Sequence, residues 1–413
     1  MSKKMVVLGA GIVGVSIAWH LQKAGYQVTL IDRKEPGNET SFGNAGLIQR
    51  EAIRPYPFPR NLSKILKMIP NQQIDIRYQF AEVVTKAAPL FQYWHHSESG
   101  RHEAISSEYA TLIDRCVDAH EEMIQLSQAE RFISKRGYLE IYRTKQVFEQ
   151  RCKELEGSLD GTGVEYNLLN GDELKEVEPA IKTPMAGGVH WKQVWSAQTP
   201  HDLVNAYFEH FVSLGGKFVQ AEIQSLQRRS EGWAVQLADE ELLFDQAVVA
   251  LGPWAAQWVK PLGLQVPLFF KKGYHIHFAD TGESQLKYPL VDAEVGYVMA
   301  PMPQGVRLCS GAYLAGLEAA NRFDQLTQAE QQARSILDMG STVDAEPWSG
   351  ARPCLPDMKP IIGPAPGQKG LWLAIGHGHQ GFTLGPITGR LIAQMIEGKE
   401  TEINMTPFRA NRF

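Results

Sequence analysis

Cysteine is scarce in this sequence, with four residues in 413, Cys116, Cys152, Cys309 and Cys354, and no CxxC spacing among them. That pattern gives neither a zinc ribbon nor a disulfide framework, and it predicts a reducing, cytoplasmic compartment. Also missing is an apolar run of the roughly twenty residues that a membrane-crossing helix needs. Met1-Ser2-Lys3-Lys4 has the charge of a signal peptide, but Gly9, Gly11 and Gly14 break the apolar stretch behind it, so no secretory h-region is expected. An excess of one charge is lacking too. Lys+Arg at 41 against Asp+Glu at 46 leaves a net charge of −5, without the basic field that a nucleic-acid partner requires. No linker or internal repeat is visible. Hydrophobic residues at 44% and charged residues at 21% are ordinary globular values, and the length allows two domains or one intertwined pair.

The first thirty-two residues carry the clearest signal. Lys4 to Leu8 form a short apolar run of the kind a buried parallel strand shows, and Gly9-Ala10-Gly11-Ile12-Val13-Gly14 follows at once. Ile12, Val15, Ala18, Trp19 and Leu21 then recur at helical spacing up to a stop at Gly25, and Tyr26 to Asp32 reads as a second strand ending in a carboxylate. The spacing has a chemical reason. Gly9 permits the tight turn, Gly11 lets backbone amides approach a pyrophosphate, Gly14 lets helix and strand pack closely, and Asp32 can accept hydrogen bonds from a ribose hydroxyl. A dinucleotide is the expected ligand. A ribose phosphate is disfavoured by Asp32, and NAD and FAD are not separated by this unit alone.

Glu39-Thr40-Ser41-Phe42-Gly43-Asn44-Ala45-Gly46 resembles the ETSxxNAG segment of FAD-dependent D-amino-acid dehydrogenases within the glycine oxidase and D-amino-acid oxidase family, of the bacterial small-subunit type. Three further stretches resemble the family in the same order: Gly216-Lys217-Phe218 leading to Ile223, then Asp245 to Trp254, then Trp348 to Gly363 with Gly376 to Pro386. The resemblance is dense in residues 1 to 50 and 245 to 400. It implies non-covalent FAD, since Cys354 does not match the position at which some relatives attach the flavin. The cofactor contacts it implies are Gly9, Ala10, Gly11, Ile12, Val13, Gly14, Asp32, Arg33, Ser41, Asn44, Ala45, Gly46, Ile48, Ile223, Gly252, Trp254, Gly378, His379, Gln380, Gly381, Phe382 and Thr383. Phe382 to Ile396 reads as an amphipathic helix whose start would place positive dipole near a reduced, anionic flavin.

The resemblance also implies an activity: oxidative deamination of a small amino acid, preferably of D configuration, by hydride transfer to flavin. A glycine-, sarcosine- or hydroxyproline-type amine oxidase or dehydrogenase is the alternative, as is the flavin subunit of a multi-component complex. Arg352, in the GxRP motif, sits where the family holds the substrate carboxylate, a task that suits a planar guanidinium fork. Tyr274 is a candidate substrate contact on an alternating strand shared with Ile276 and Phe278, with packing as the competing role. His379 lies in the glycine-rich turn expected to face the flavin, where main-chain contact competes with acid–base chemistry. No obligatory base is expected, since a neutral amine needs none for hydride loss. No metal is expected either, because His275 and His277 have no third ligand.

The implied fold is α/β, a doubly wound FAD-binding domain of the glutathione-reductase type interleaved with a substrate domain on a large mixed β-sheet. Residues 1–80, 145–265 and 345–413 are assigned to the first and 81–144 and 266–344 to the second. Strands are predicted at 136–142, 266–279, 296–301 and 306–312, and one helix over 104–131. Residues 50–80 interleave Arg50, Arg54, Arg60, Lys64, Lys67 and Arg77 with apolar side chains. That mixture suggests peripheral contact with anionic lipid on the inner face of the cell membrane, where a quinone would collect electrons. A folded excursion over the substrate pocket is the competing reading, and oxygen is the alternative electron acceptor. Homo- or hetero-oligomers are compatible with all of this.

Overall fold

The computed structural model describes residues 3–282 and 285–413. Five parallel strands form the centre of the first sheet, in the order Lys217–Gln220, Gln27–Asp32, Lys4–Leu8, Gln246–Val249 and Leu371–Ile375, and Ile361–Pro364 closes one edge antiparallel. Alternation along the strands explains why both faces are covered. Met5, Val7, Leu30 and Val248 point into a core built with the helices Ile12–Lys23, Pro200–Ser213 and Gly381–Glu397. Val6, Leu8, Ile31 and Val249 point the other way, under a meander formed by Ser225–Arg229, Gly232–Gln236 and Glu241–Phe244. A strand buried on both faces must be apolar throughout, which is how the opening run reads in the sequence. The first helix and the closing helix cross closely because Gly389 carries no side chain; a Cβ there would stand 2.5 Å from the Ser16 carbonyl oxygen.

The second sheet is larger and mixed. Its path runs Ile76–Tyr78, Ala312–Leu314, Phe269–Phe278, Gly305–Cys309, Tyr297–Met302, Leu290–Asp292, Tyr138–Tyr142, Gly187–Trp191 and Tyr166–Asn170, with Trp348–Cys354 paired along Phe269–Phe278. Tyr274 and Phe278 enter a core that includes Ala329, Ala333 and Ile336 of the helix Asp324–Ile336, leaving Gly273, His275 and His277 on the opposite face. The α/β class with its doubly wound sheet and large mixed sheet is thus present.

Several local expectations need correction. Tyr166–Asn170 and Gly187–Trp191, from the 145–265 stretch expected on the cofactor side, join the large sheet instead, because each finds its ladder beside Tyr138–Tyr142 or the other. Ile76–Tyr78 likewise pairs with Ala312–Leu314. The helix expected over 104–131 is two helices, Ser99–Ile113 and Cys116–Leu126, divided where Asp114 turns to pair with Arg50 at 2.9 Å. Tyr109, Leu112, Ile113, Cys116, Ala119 and Met123 form core as their spacing predicts, whereas Leu126 is exposed. The strand expected at 306–312 ends at Cys309, and after an interruption at Ser310 and Gly311 the chain continues along Phe269–Phe278 as a separate strand, Ala312–Leu314.

Candidate active site

One long cleft runs between the two sheets. At one end the turn after Lys4–Leu8 is set by contacts that only glycine allows. Gly9 has φ +105° and a Cβ there would lie 2.5 Å from the Ala250 carbonyl oxygen, and a Cβ on Gly14 would collide with the Gly9 carbonyl. Gly11 differs: its nearest neighbour would be Ser41 Oγ at 3.4 Å, so its side faces open cleft at the start of the helix Ile12–Lys23. This is the cradle a pyrophosphate would fill. Asp32 Oδ2 accepts from the Ala10 N–H at 2.7 Å and Oδ1 from the Lys34 N–H at 3.1 Å, which aims its remaining lone pairs at the cleft. Burial raises its pKa, against the pull of those two donors. Arg33 lies 4.4 Å over the Trp254 ring, and both line the cleft with Ala221, Glu222, Ile223 and Gly252. A dinucleotide fits this end.

Along the middle the cleft is lined by Thr40, Ser41, Gly43, Asn44 and Ala45 on one side, and by Gly378, Gly381 and Phe382, at the start of the closing helix, on the other. The residues named from the sequence divide here. Gly9, Gly11, Ile12, Val13, Asp32, Arg33, Ser41, Asn44, Ala45, Ile223, Gly252, Trp254, Gly378, His379, Gly381 and Phe382 face the cleft. Ala10, Gly14, Gly46, Ile48, Gln380 and Thr383 stand behind its wall and hold it. Asn44 Oδ1 accepts from the Gly46 N–H at 2.7 Å. Gln380 Nε2 donates to Gln49 Oε1 at 2.9 Å, and Thr383 Oγ1 accepts from the Gln49 N–H at 3.2 Å.

The far end is organised around Arg352, which registers with Lys271 across the paired strands. Its guanidinium occupies the space that Gly273 leaves empty, since a Cβ there would be 2.6 Å from Nη1. Nη1 is sealed from solvent and has no hydrogen-bond partner, and no carboxylate pairs with this cation among the described residues. Burial lowers the Arg352 pKa from its ordinary value, but an arginine stays charged at any working pH. Tyr56, Tyr138, Cys309, Ser310 and His379 complete the wall. Tyr56 is 57% exposed, but to the cleft it lines: its ring lies 5.1 Å from His379, and protein crowding followed by Glu51 and Glu140 pushes its phenol up to about 12. His379 is held well below its usual value, by burial first and then by Arg352 and Lys271, and is therefore neutral. Tyr274 also lines the cleft, with its ring against Phe323 at 5.2 Å and its hydroxyl accepting from the Arg322 N–H at 3.2 Å.

Tyr56, Gln49, Tyr138 and Ser310 were not named from the sequence: Tyr56 and Tyr138 lie outside the dense stretches, and Gln49 and Ser310 lie within them but outside the quoted motifs. Only the pairing of polar and aromatic residues in 49–56 could have drawn attention to the first two. Next to Tyr56 and Tyr138, Glu51 has a sealed and unpartnered Oε2, and its burial raises its pKa to about 7.

A family model described as FAD dependent oxidoreductase matches residues 4–395. Among curated proteins, the D-amino-acid oxidase of Bradyrhizobium diazoefficiens is 30% identical, covering 100% of this chain and 99% of its own length. The D-amino acid dehydrogenase of Paramagnetospirillum magneticum is 28% identical, covering 99% of each. Among solved structures, glycine oxidase from Geobacillus kaustophilus aligns with a TM-score of 0.77 at 19% identity over 100% of both chains. L-proline dehydrogenase from P. horikoshii aligns with a TM-score of 0.72 at 17% identity, covering 100% of this chain and 98% of its own. These two share the fold.

The glycine geometry separates two kinds of damage. Gly11→Ala should leave the thermal melting of the apoprotein unchanged while weakening FAD binding at least tenfold in a fluorescence titration. Gly14→Ala should lower the apoprotein melting temperature as well. Equal melting and equal FAD affinity for Gly11→Ala and the parent would contradict the assignment of this cradle.

Proposed function

This chain belongs to the FAD-dependent oxidoreductase family, and on that footing we propose that it oxidises the carbon–nitrogen bond of a small amino acid whose carboxylate is held by Arg352. The observation that carries this reading is the guanidinium itself, a sunken cation without a paired anion among the described residues. A buried charge of that kind is stabilised by a ligand of opposite charge, and the fork can meet both oxygens of a carboxylate at once. Bound FAD would accept hydride from the α-carbon, leaving an imino acid that water converts to 2-oxo acid and ammonia.

The chain's own residues would position and select. Cys309, Val298 and Val291 stand side by side on three adjacent strands and form a neutral floor facing the cleft. The acid that continues this row, Glu140, is already paired with Arg151 at 3.2 Å and with the Trp191 indole N–H at 2.9 Å. Of the described carboxylates that line the cleft, Asp32, Glu39 and Glu222 belong to its nucleotide end, so none of them meets a substrate ammonium beside Arg352. Arg352 repels one, and neutral His379 adds no charge. These features favour a substrate that has one carboxylate, a neutral amine and no charge on the side group. The D configuration is supported by the names of the two curated relatives, in preference to a glycine, sarcosine or hydroxyproline type. Non-covalent attachment of FAD is supported by Cys354, whose thiol is buried and pushed up in pKa, with Arg352 O as its hydrogen-bond partner at 3.6 Å.

A quinone at an anionic lipid surface is the acceptor favoured by residues 60–91. The short helices Leu62–Met68 and Phe80–Thr85 have no buried residue, and Leu62, Leu66, Ile69, Phe80, Val84 and Phe91 all stand exposed, Phe80 at 75%. Arg60, Lys64 and Lys67 accompany them, also exposed. An apolar patch with cations among its exposed residues suits the headgroup boundary of an anionic bilayer. No helix among the described residues is long and apolar enough to cross a membrane.

Arg352→Ala should raise KM for the amino acid by about a hundredfold, the loss of roughly 3 kcal/mol expected when a charged bidentate contact disappears; an unchanged KM would remove Arg352 from the substrate site. In flotation with phosphatidylglycerol vesicles the parent should rise with the lipid and the double variant Leu66→Ser/Phe80→Ser should stay in the dense fraction. Equal behaviour of the two would end the membrane reading.

A further inference from the structure

The Phe42–Asn44 loop lines the cofactor cleft, but its own hydrogen bonds do not explain why it is fixed. Two of its carbonyl oxygens, those of Phe42 and Asn44, accept from a single group, Arg307 Nη1, at 3.0 and 2.6 Å. Arg307 comes from Gly305–Cys309 of the large sheet and is only 4% exposed. No carboxylate touches its guanidinium among the described residues. Instead its Nε–H donates to His277 Nε2 at 2.9 Å, and His277 Nδ1–H donates to Asp344 Oδ2 at 2.7 Å. The His277 backbone N–H donates to that same oxygen at 2.7 Å, which fixes the carboxylate against the strand.

The arrangement dictates one tautomer. Arg307 can only donate, so His277 must present a bare Nε2 and carry its proton on Nδ1. Trp348 meets the same loop, its ring filling the place of a Gly43 side chain and stacking on His275 at 5.0 Å. Arg307 and Trp348 come from the two strands that flank Phe269–Phe278, and Trp348 shares its strand with Arg352.

We propose that Asp344, His277 and Arg307 form a positioning relay that ties the Phe42–Asn44 loop to the large sheet and so sets the geometry of the bound FAD relative to Arg352. The relay acts through the loop and touches neither cofactor nor substrate. It concerns the cofactor site and holds whichever amine is oxidised.

A proton on Nε2 would remove the acceptor for Arg307 and place a second cation beside it. The groups that face His277 are Asp344, Arg307 and, on its own strand, His275 at 5.1 Å. Burial and then Arg307 lower the His277 pKa from its usual 6.5, with Asp344 opposing them. The relay is intact above pH 6.5 and opens as pH falls through the lowered value.

The test uses apoprotein titrated with FAD, followed by flavin fluorescence and by visible circular dichroism of the complex. Arg307→Met should raise the FAD dissociation constant at least tenfold and change the flavin dichroism, and Arg307→Lys, which can still reach the two carbonyls, should recover part of both. In the parent the dissociation constant should climb on the acid side of pH 6.5, and in His277→Gln that acid limb should vanish. A folded Arg307→Met variant that binds within twofold of the parent, with the same dichroism, overturns the relay. If Arg307→Met does not fold, the His277→Gln pH profile decides alone, and an unchanged acid limb overturns the relay.

Discussion

A guanidinium withdrawn from water must find an anion or a set of acceptors, because an uncompensated buried charge costs several kcal/mol. Arg352 has neither among the described residues, and much of the architecture keeps it that way. Gly273 vacates the space above the neighbouring strand, Tyr56 stays protonated, and His379 stays neutral. The nearest row of side chains on the sheet offers Cys309 and two valines, and the acid beyond them is already paired. The site is tuned by omission: among the described residues no carboxylate pairs with Arg352, and burial raises the Glu51 carboxyl behind Tyr56 and Tyr138 to about 7.

The same strands connect this charge to the cofactor cleft. Trp348 and Arg352 lie four residues apart on one strand, the first pressing the loop that lines the cofactor and the second facing the substrate end. Arg307, two strands away from them in the large sheet, holds the same loop from beneath. Distances between cofactor and substrate are thereby referred to one rigid sheet, while the nucleotide end is referred to the parallel sheet through Gly9, Gly14 and Asp32. Two sheets meeting along one cleft is an economical way to hold two ligands in fixed relation.

Legibility in the sequence followed locality. The opening unit could be read residue by residue because its strand, turn, helix and carboxylate are contiguous, and the steric demands on Gly9, Gly11 and Gly14 are set within a few residues or by one neighbouring strand. Arg352 was legible through its motif. The isolation of its charge was not, since that depends on Gly273, Tyr56 and Glu140 from three distant parts of the chain. Tyr274 shows the converse limit: strand alternation placed it with Ile276 and Phe278 correctly, yet its contact with Phe323 and its place at the cleft depend on distant parts of the chain. His277 looked like half of a metal pair by spacing. Its actual partners, Arg307 and Asp344, are 30 and 67 residues away. The strands Tyr166–Asn170 and Gly187–Trp191 went unread in the sequence for the same reason, because their ladder partners are non-local.

The central claim, that an unpaired guanidinium selects for a carboxylate, is tested most directly by anaerobic mixing of the FAD-loaded protein with matched ligands and observation of flavin bleaching. The ligands are a D-amino acid with an uncharged side chain such as D-alanine, its methyl ester and the corresponding amine without the carboxylate. Rapid bleaching by the acid alone is the predicted result. Bleaching by the ester or the amine at the rate of the acid would contradict it.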